Sequence, residues 1–207
     1  MKVIKGFVIV IVMLALAAGC APKKIPEEKG ERIPLSQVLT QTLKRYEGVN
    51  TLQSRLFVQL DLRDAYYVLQ GILLYKRPAR MRLRLTTNFG GTVGEVIYNE
   101  GLLCILFPTE EKIFRGWIEE GKNPKAETLF LTMVYNDYTE LEGQHFPTRI
   151  SGKGEGMEIR FNIKLKNPHV DLPLAENAFI PATVGWEVHP LEDLNDLLHK
   201  IEAGAGS

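Results

Sequence analysis

The clearest structural signal in the sequence is the stretch MEIRFNIKLK, at residues 157–166. Apolar side chains occupy every second position, and charged or polar side chains lie between them. In a β-strand, successive side chains point to opposite faces of the sheet, so strict alternation separates an apolar face from a polar one. The stretch therefore predicts a strand in a sheet that has one buried and one solvated face.

Similar segments recur on both sides of this strand. They predict further strands at residues 51–62, 66–76, 81–85, 92–98, 102–107, 112–118, 146–152 and 182–188. Short turns rich in Gly, Pro or Asn separate most of them, which is typical of consecutive hairpins. The pattern predicts a mainly β, α+β domain with one antiparallel sheet of roughly 8–11 strands, and a sheet of that size tends to curl into an unclosed barrel.

Three segments show helical spacing instead. They are residues 35–46, residues 125–136 and a short helix from Pro190 to residue 201. In each, apolar residues recur at intervals of three or four, which indicates an amphipathic helix with a face to bury. The apolar positions are Leu35, Val38, Leu39, Leu43 and Tyr46; Leu129, Phe130, Met133 and Val134; and Leu191, Leu194, Leu197, Leu198 and Ile201. We expect these helices to cap the barrel.

The apolar positions of the strands form the candidate interior. The expected interior residues are Leu56, Val58, Leu60, Leu69, Leu73, Met81, Leu83, Leu85, Ile105, Phe107, Ile159, Phe161 and Ile163. Such residues either pack as an ordinary core or line an apolar cavity, and both arrangements give the same alternation.

The N-terminus has the features of a lipoprotein export signal. Lys2 and Lys5 precede the uncharged, largely apolar segment 6–18, which is too short to remain as a spanning helix. Cys20 either is incidental or is the lipid-modified first residue of the mature chain, and a cysteine at the cut favours lipidation. The predicted organisation is a signal peptide at 1–19, an anchor and tether at 20–34, a single domain at 35–203 and a tail at 204–207.

Composition argues against several classes of function. Twenty-five basic side chains balance 25 acidic ones, so the excess of positive charge expected of a nucleic-acid-binding protein is missing from the sequence. Cys104 lies in an apolar strand, where a small buried thiol is the simplest interpretation. The four histidines lack metal-ligand spacing, and neither a nucleophile turn nor a phosphate-binding glycine loop is recognisable. We therefore expect no enzyme, no metal and no cofactor.

Arginines alternate with apolar residues along one predicted strand. Arg80, Arg82 and Arg84 would share the polar face. They either form an anion-binding row or belong to a solvated outer surface, and the solvated surface is the commoner arrangement.

One part of the chain resembles a known family. Residues 71–85, GILLYKRPARMRLRL, followed by Asn88-Phe89-Gly90 and by VIYNEG at residues 96–101, are similar to the first strands of the LolA/LolB lipoprotein-localisation superfamily. The receptor branch of that family has Gly-Arg at the start of its first strand, where this chain has Ser54-Arg55. The resemblance implies an unclosed barrel that shelters the acyl chains of lipoproteins in transit.

The resemblance also implies roles for individual residues. The receptor branch is lipid-anchored, as Cys20 would make this chain, whereas the carrier branch is soluble. An apolar residue on a hairpin loop helps to insert cargo into the membrane, and Phe89 matches its position; the alternative is that Phe89 folds back onto the sheet. Ala21, in place of a retaining aspartate, implies the periplasmic face of the outer membrane.

The implied partners are lipoprotein acyl chains or other lipids, a LolA-like carrier, and a membrane reached through Cys20. Two alternatives stay open at this point. The sequence excludes neither carriage of a different lipid nor a structural role in an envelope complex.

Overall fold

A sheet of 11 strands organises the part of the protein that the structure describes. The computed structural model describes residues 30–34, 37–62, 65–118, 130–155 and 159–194. The strands are β1 (Glu31–Pro34), β2 (Thr51–Leu62), β3 (Ala65–Lys76), β4 (Arg80–Thr86), β5 (Thr92–Asn99), β6 (Leu102–Phe107), β7 (Lys112–Trp117), β8 (Phe130–Leu141), β9 (Gln144–Gly154), β10 (Ile159–Val170) and β11 (Glu187–Pro190). One α-helix, α1 (Val38–Lys44), and two short 3-10 helices, Glu176–Phe179 and Leu191–Asp193, accompany them within these ranges.

The strand order is β1-β8-β9-β10-β2-β3-β4-β5-β6-β7-β11. All neighbours are antiparallel except β11, which pairs in parallel with β7. Among the strands described, β1 and β11 are the two edges, so the sheet that they bound is not closed. The predicted unclosed antiparallel barrel of about 8–11 strands is thus confirmed, although β11 departs from the antiparallel pattern.

The hairpins from β2 to β7 follow the prediction closely. Strands β2 and β6 have the predicted bounds, and the other strands of this series differ from prediction by one residue at one or both ends. Strands such as β2 and β4 have one apolar face, so their period is visible without knowledge of their partners. Strand β6 is apolar on both faces and is delimited by the turns around it. Helix α1 lies inside the predicted helix 35–46, whose first two residues lie outside the described ranges.

The helix predicted at residues 125–136 is wrong over its described part. Residues 130–136 belong to β8, which pairs with β9 along almost its whole length. Leu131 and Met133 are buried, while the alternate residues Thr132 and Val134 are only half-buried, so the period is two. Residues 125–129 lie outside the described ranges.

The two ends of the domain also differ from prediction. Residues 31–34, assigned to the tether, form β1 against β8, with the N–H-lacking Pro34 as the last residue of this edge strand. The strand predicted at 182–188 begins only at Glu187, because residues 183–186 form a turn with a Trp186 N–H to Thr183 carbonyl distance of 3.3 Å. Pro190 ends β11, and the predicted helix beyond residue 194 lies outside the described residues.

The two faces of the sheet have different coverings. We call the face that carries the main buried apolar cluster the inner face, and the opposite one the outer face. A connection from β10 to β11, residues 171–186, crosses the outer face, and we call it the strap. Its 3-10 helix packs against β4 and β5, and Trp186 packs against the outer-face residues Ile97, Cys104, Leu106 and Ile113. Cys104 is buried, as predicted.

Candidate functional site

The inner face gathers the predicted interior residues. Of the 13, 12 lie in or against one continuous buried cluster. Met81 lies on the same face, opposite Tyr75 on β3 and Tyr98 on β5, and is half-buried. The eight fully buried members are Leu56, Val58, Leu60, Leu69, Leu85, Ile105, Phe107 and Phe161.

Sequence reasoning missed the part of this face that lies beyond β10. Buried residues there include Ile33 on β1, Leu131 and Met133 on β8, and Phe146 and Ile150 on β9. Leu131 and Met133 were missed because β8 was predicted as a helix, and Ile33 because residues 31–34 were assigned to the tether. Phe146 and Ile150 lie in a segment that was predicted as a strand but were not counted among the interior residues. The alternation of Leu131, Met133 and Tyr135 is the signal that could have found the strand.

Glycine shapes the centre of this region. A Cβ atom on Gly152 would collide with the ring of Phe161 and would lie 2.9 Å from Met133 Sδ. Phe161 on β10 therefore packs directly over the backbone of β9, which only glycine permits.

Some inner-face side chains are incompletely covered. Leu73 on β3 is opposite Leu83 on β4, and Met81 is opposite Tyr98; all four are half-buried. Ile163 on β10 is also half-buried. These positions continue the buried cluster while leaving apolar surface accessible, so an apolar ligand chain could contact them.

The hydroxyl of Ser54 is a polar group within this apolar face. Ser54 is buried, and its Oγ lies 2.9 Å from the Arg55 carbonyl and 3.1 Å from the Lys166 carbonyl. One hydroxyl proton can serve either carbonyl, so the group is satisfied by backbone and needs no ligand.

Helix α1 is held to the inner face by aromatic and polar contacts. Just after the helix, the Tyr46 ring packs 5.8 Å from Phe146 and 6.3 Å from Tyr75, between centroids, and its hydroxyl donates to the Pro147 carbonyl at 2.9 Å. Thr42 Oγ1 lies 3.1 Å from the Tyr135 hydroxyl. Burial raises the pKa of Tyr46 and Tyr135, because a phenolate would be poorly solvated there.

Phe89 projects from the turn between β4 and β5. Its side chain is 92% exposed. The Thr87 N–H donates to the Gly91 carbonyl at 2.8 Å, and the Gly90 N–H donates back to the Thr87 carbonyl at 3.0 Å. Gly90 has φ +88°, a conformation that favours glycine. The turn thus holds Phe89 outward, and the folded-back alternative is not what the structure shows.

The arginine row is neither an open anion site nor a simple solvated surface. Arg82 binds both oxygens of Glu95, at 2.5 and 3.1 Å, and Arg84 Nε lies 3.0 Å from Glu95 Oε1. Glu95 is only 6% exposed. Arg80 pairs with Glu100 at 2.6 Å and with Glu176 on the strap. Carboxylates therefore neutralise the row, and the strap covers part of it.

The lipidation candidate Cys20 lies outside the described residues, as does His199. Two of the remaining histidines stack on rings, His145 on Tyr138 and His189 on Phe114. Within the described ranges, no cluster of three or more His, Cys, Asp or Glu side chains could hold a metal ion. None of the helices described is long and apolar enough to cross a membrane.

Comparison with known proteins bears on the fold. No protein-family profile matches the chain, and no curated protein matches it in sequence. A LolA superfamily protein from Nitrosomonas europaea superposes on this chain with a TM-score of 0.51 at 9% sequence identity. The superposition covers 72% of this chain and 98% of the Nitrosomonas chain. A DUF1329 family protein from Desulfovibrio piger gives a TM-score of 0.50 at 9% identity, covering 70% and 97%. The resemblance found in the sequence is thus confirmed at the level of the fold, and this chain has the fold of LolA superfamily proteins.

Proposed function

We propose that this chain is a lipid-anchored envelope protein that shelters the acyl chains of lipoproteins on its inner face and passes them to the outer membrane. The observation that carries the proposal is the continuous apolar inner face of an unclosed sheet, part of which is half-buried. The fold shared with a LolA superfamily protein supports it.

Transfer of this kind requires shelter rather than a reaction. Each methylene group moved out of water gains about 0.8 kcal/mol, so a long acyl chain exposed between two membranes costs on the order of 10 kcal/mol. A carrier must therefore replace water with apolar side chains along most of the chain. Leu73, Leu83, Met81 and Ile163 are suitably placed for that contact, and no catalytic group is needed.

The anchor and the partners belong to the same proposal. Cys20 carries the acyl chains that attach the protein to the membrane, and residues 21–30 give the domain reach from it. More than one acyl chain is needed for stable attachment, which fits a lipidated N-terminal cysteine. A LolA-like soluble carrier would deliver the cargo, and Ala21 fits a final position on the periplasmic face of the outer membrane.

Two neighbouring residues of β3 offer a matched test of cargo binding. Leu73 lies on the inner face, and Ile72, 47% exposed, lies on the outer face. The unacylated domain would be purified and its bound molecules identified by mass spectrometry. Acylated peptides should be found, should be reduced in Leu73→Gln and should be retained in Ile72→Gln.

Other outcomes of this experiment separate the alternatives. Free lipid in place of acylated peptide would support carriage of another lipid. An empty domain, in both the wild type and the Ile72→Gln control, would support a structural role. Equal binding in both variants would exclude the inner face as the binding surface.

Phe89 is proposed to contact the membrane during release. Phe89→Glu should leave folding and cargo binding unchanged but impair insertion of a bound lipoprotein into liposomes, because a carboxylate does not enter the apolar layer. Asn88→Glu is the matched control, since it adds the same charge to the same turn and keeps the phenyl ring. Insertion that is equally reduced in both variants would assign the effect to charge and would remove Phe89 from the mechanism.

A further inference from the structure

A second fully exposed apolar side chain lies at the same end of the sheet as Phe89. Val184 occupies the last turn of the strap, and its side chain is as exposed as in an isolated residue. Gly185 follows with φ +86°, and the Trp186 N–H closes the turn on the Thr183 carbonyl. Trp186 itself packs on the outer-face cluster, so the strap is fixed beside the turn that presents Val184.

The strand register brings the two side chains to one end. Strands β4 and β6 both pair antiparallel with β5, so they run in the same direction and their following turns lie at the same end of the sheet. The turn after β4 carries Phe89. The turn after β6, residues 108–111, is joined to the strap, because the Glu187 N–H donates to the Glu111 carbonyl at 3.0 Å. We call this end the Phe89 end.

The charge between the two apolar tips is negative. Glu110 and Glu111, both exposed, occupy the turn after β6, and Glu187 at the start of β11 is exposed beside them. The half-buried Lys112, opposite Glu187 in the strand register, offsets one of these three negative charges and leaves a net negative charge. These carboxylates would be repelled by a strongly anionic surface. An apolar surface that carries little net charge is the complementary partner.

We propose that Val184 is a second membrane contact, and that the Phe89 end docks on a bilayer of zwitterionic lipid. This inference rests on the proposed function and extends it. One inserted side chain would leave the domain free to pivot on its tether, whereas two tips on separate turns fix which end of the sheet faces the lipid. The acidic turn between them selects against anionic lipid.

Brominated lipid provides a direct test, because bromine in the acyl chains quenches only tryptophans that enter the bilayer. The full lipidated chain is reconstituted in brominated phosphatidylcholine vesicles as wild type, Val184→Trp and Leu172→Trp. Leu172 is the matched control, since it is a partly exposed strap residue at the opposite end, where its carbonyl accepts a bond from Thr51 Oγ1 at 2.7 Å. Wild-type emission from Trp117 and Trp186 gives the baseline.

The added tryptophan of Val184→Trp should lose most of its emission, and that of Leu172→Trp should keep its emission. Replacing part of the lipid with anionic phosphatidylglycerol should weaken the quenching, and salt should restore it. An unquenched Val184→Trp, equal quenching at both positions, or stronger quenching on anionic lipid would each overturn the inference.

Acylated-peptide binding measured on the same proteins separates this inference from the proposed function. Peptide binding without quenching at Val184→Trp would refute the docking surface and leave the sheltering role intact. Quenching without peptide binding would refute the sheltering role and leave the docking surface intact.

Discussion

The two faces of the same sheet are built from alternate residues of the same strands, yet they differ in extent and covering. The inner face carries one apolar cluster that runs from Ile33 on β1 to Leu194 beyond β11. The outer face has a small cluster on β5, β6 and β7, centred on Ile97, Cys104, Leu106 and Ile113. Both clusters are built from the same types of apolar side chain. The two faces therefore differ in how far the cluster extends and in what covers it, and not in the kind of residue.

The apolar cluster of the outer face is covered by contacts within the chain, while Ile72 and Trp117 on the same face stay exposed as separate side chains. Trp186 packs against this cluster, the Ala178 carbonyl accepts a bond from Arg82 at 2.8 Å, and Glu95 pairs with both Arg82 and Arg84. The inner face instead continues into half-buried apolar positions. Of the two faces described, the inner one is therefore the better suited to an apolar ligand, and the outer one serves to hold the strap in place.

The largest expected effect compares the two faces within strand β3. Leu69→Ala removes a side chain that is 1% exposed on the inner face, and should lower the free energy of unfolding by about 2–5 kcal/mol through lost burial and a residual cavity. Ile72→Ala, on the outer face, should change it by less than about 0.5–1 kcal/mol. Urea denaturation followed by circular dichroism gives both values. Similar losses in the two variants would mean that the faces do not differ in packing.

A smaller effect is expected at the charged centre of the outer face. Glu95→Gln keeps the size of the side chain but removes the charge that two arginines share, and should cost about 1–3 kcal/mol because Arg82 would be left covered and poorly paired. Glu100→Gln is the control and should cost much less, since its pair with Arg80 is at the surface. Denaturation of both variants measures the difference. Equal stability of the Glu95→Gln and Glu100→Gln variants would show that burial of Glu95 does not strengthen its ion pairs.

Much of the fold could be predicted from local periodicity. Alternation identified β2, β4 and β10, whereas β6 is apolar on both faces and was recognised as an apolar run bounded by turns. Position within each strand then assigned the 13 interior residues to one side. Within a strand, every second side chain points to the same face of the sheet. The face on which a residue lies can therefore be read from its position in the sequence once the strand is recognised.

The rest depends on partners that are distant in sequence. The segment 129–134 fits a helical stripe through Leu129, Phe130, Met133 and Val134, and it fits a strand equally well; pairing with β9 decides between them. Strand β1 has four residues and one buried side chain, too few to show a period. The path of the strap could not be predicted because it depends on the outer face it covers, and the exposure of Val184 follows from that path.

The smallest expected effect concerns the hydroxyl of Tyr46, where the inner face meets helix α1. Tyr46→Phe removes the bond to the Pro147 carbonyl and should cost about 1 kcal/mol near neutral pH. Burial raises the pKa of Tyr46, so above about pH 10 the unfolded chain loses this proton first and stability falls as pH rises, by at most about 1.4 kcal/mol per pH unit.

That pH dependence provides a check which a simple packing defect would not reproduce. Burial also raises the pKa of Tyr67, Tyr75 and Tyr135, so the wild type should lose stability steeply in alkali. Tyr46→Phe lacks one of these groups and should lose less between about pH 8 and about pH 11, on either side of the ordinary tyrosine pKa. The measurement is urea denaturation at both values. Parallel losses in the two proteins would show that Tyr46 ionises as readily when folded as when unfolded, and that α1 does not seal this part of the inner face.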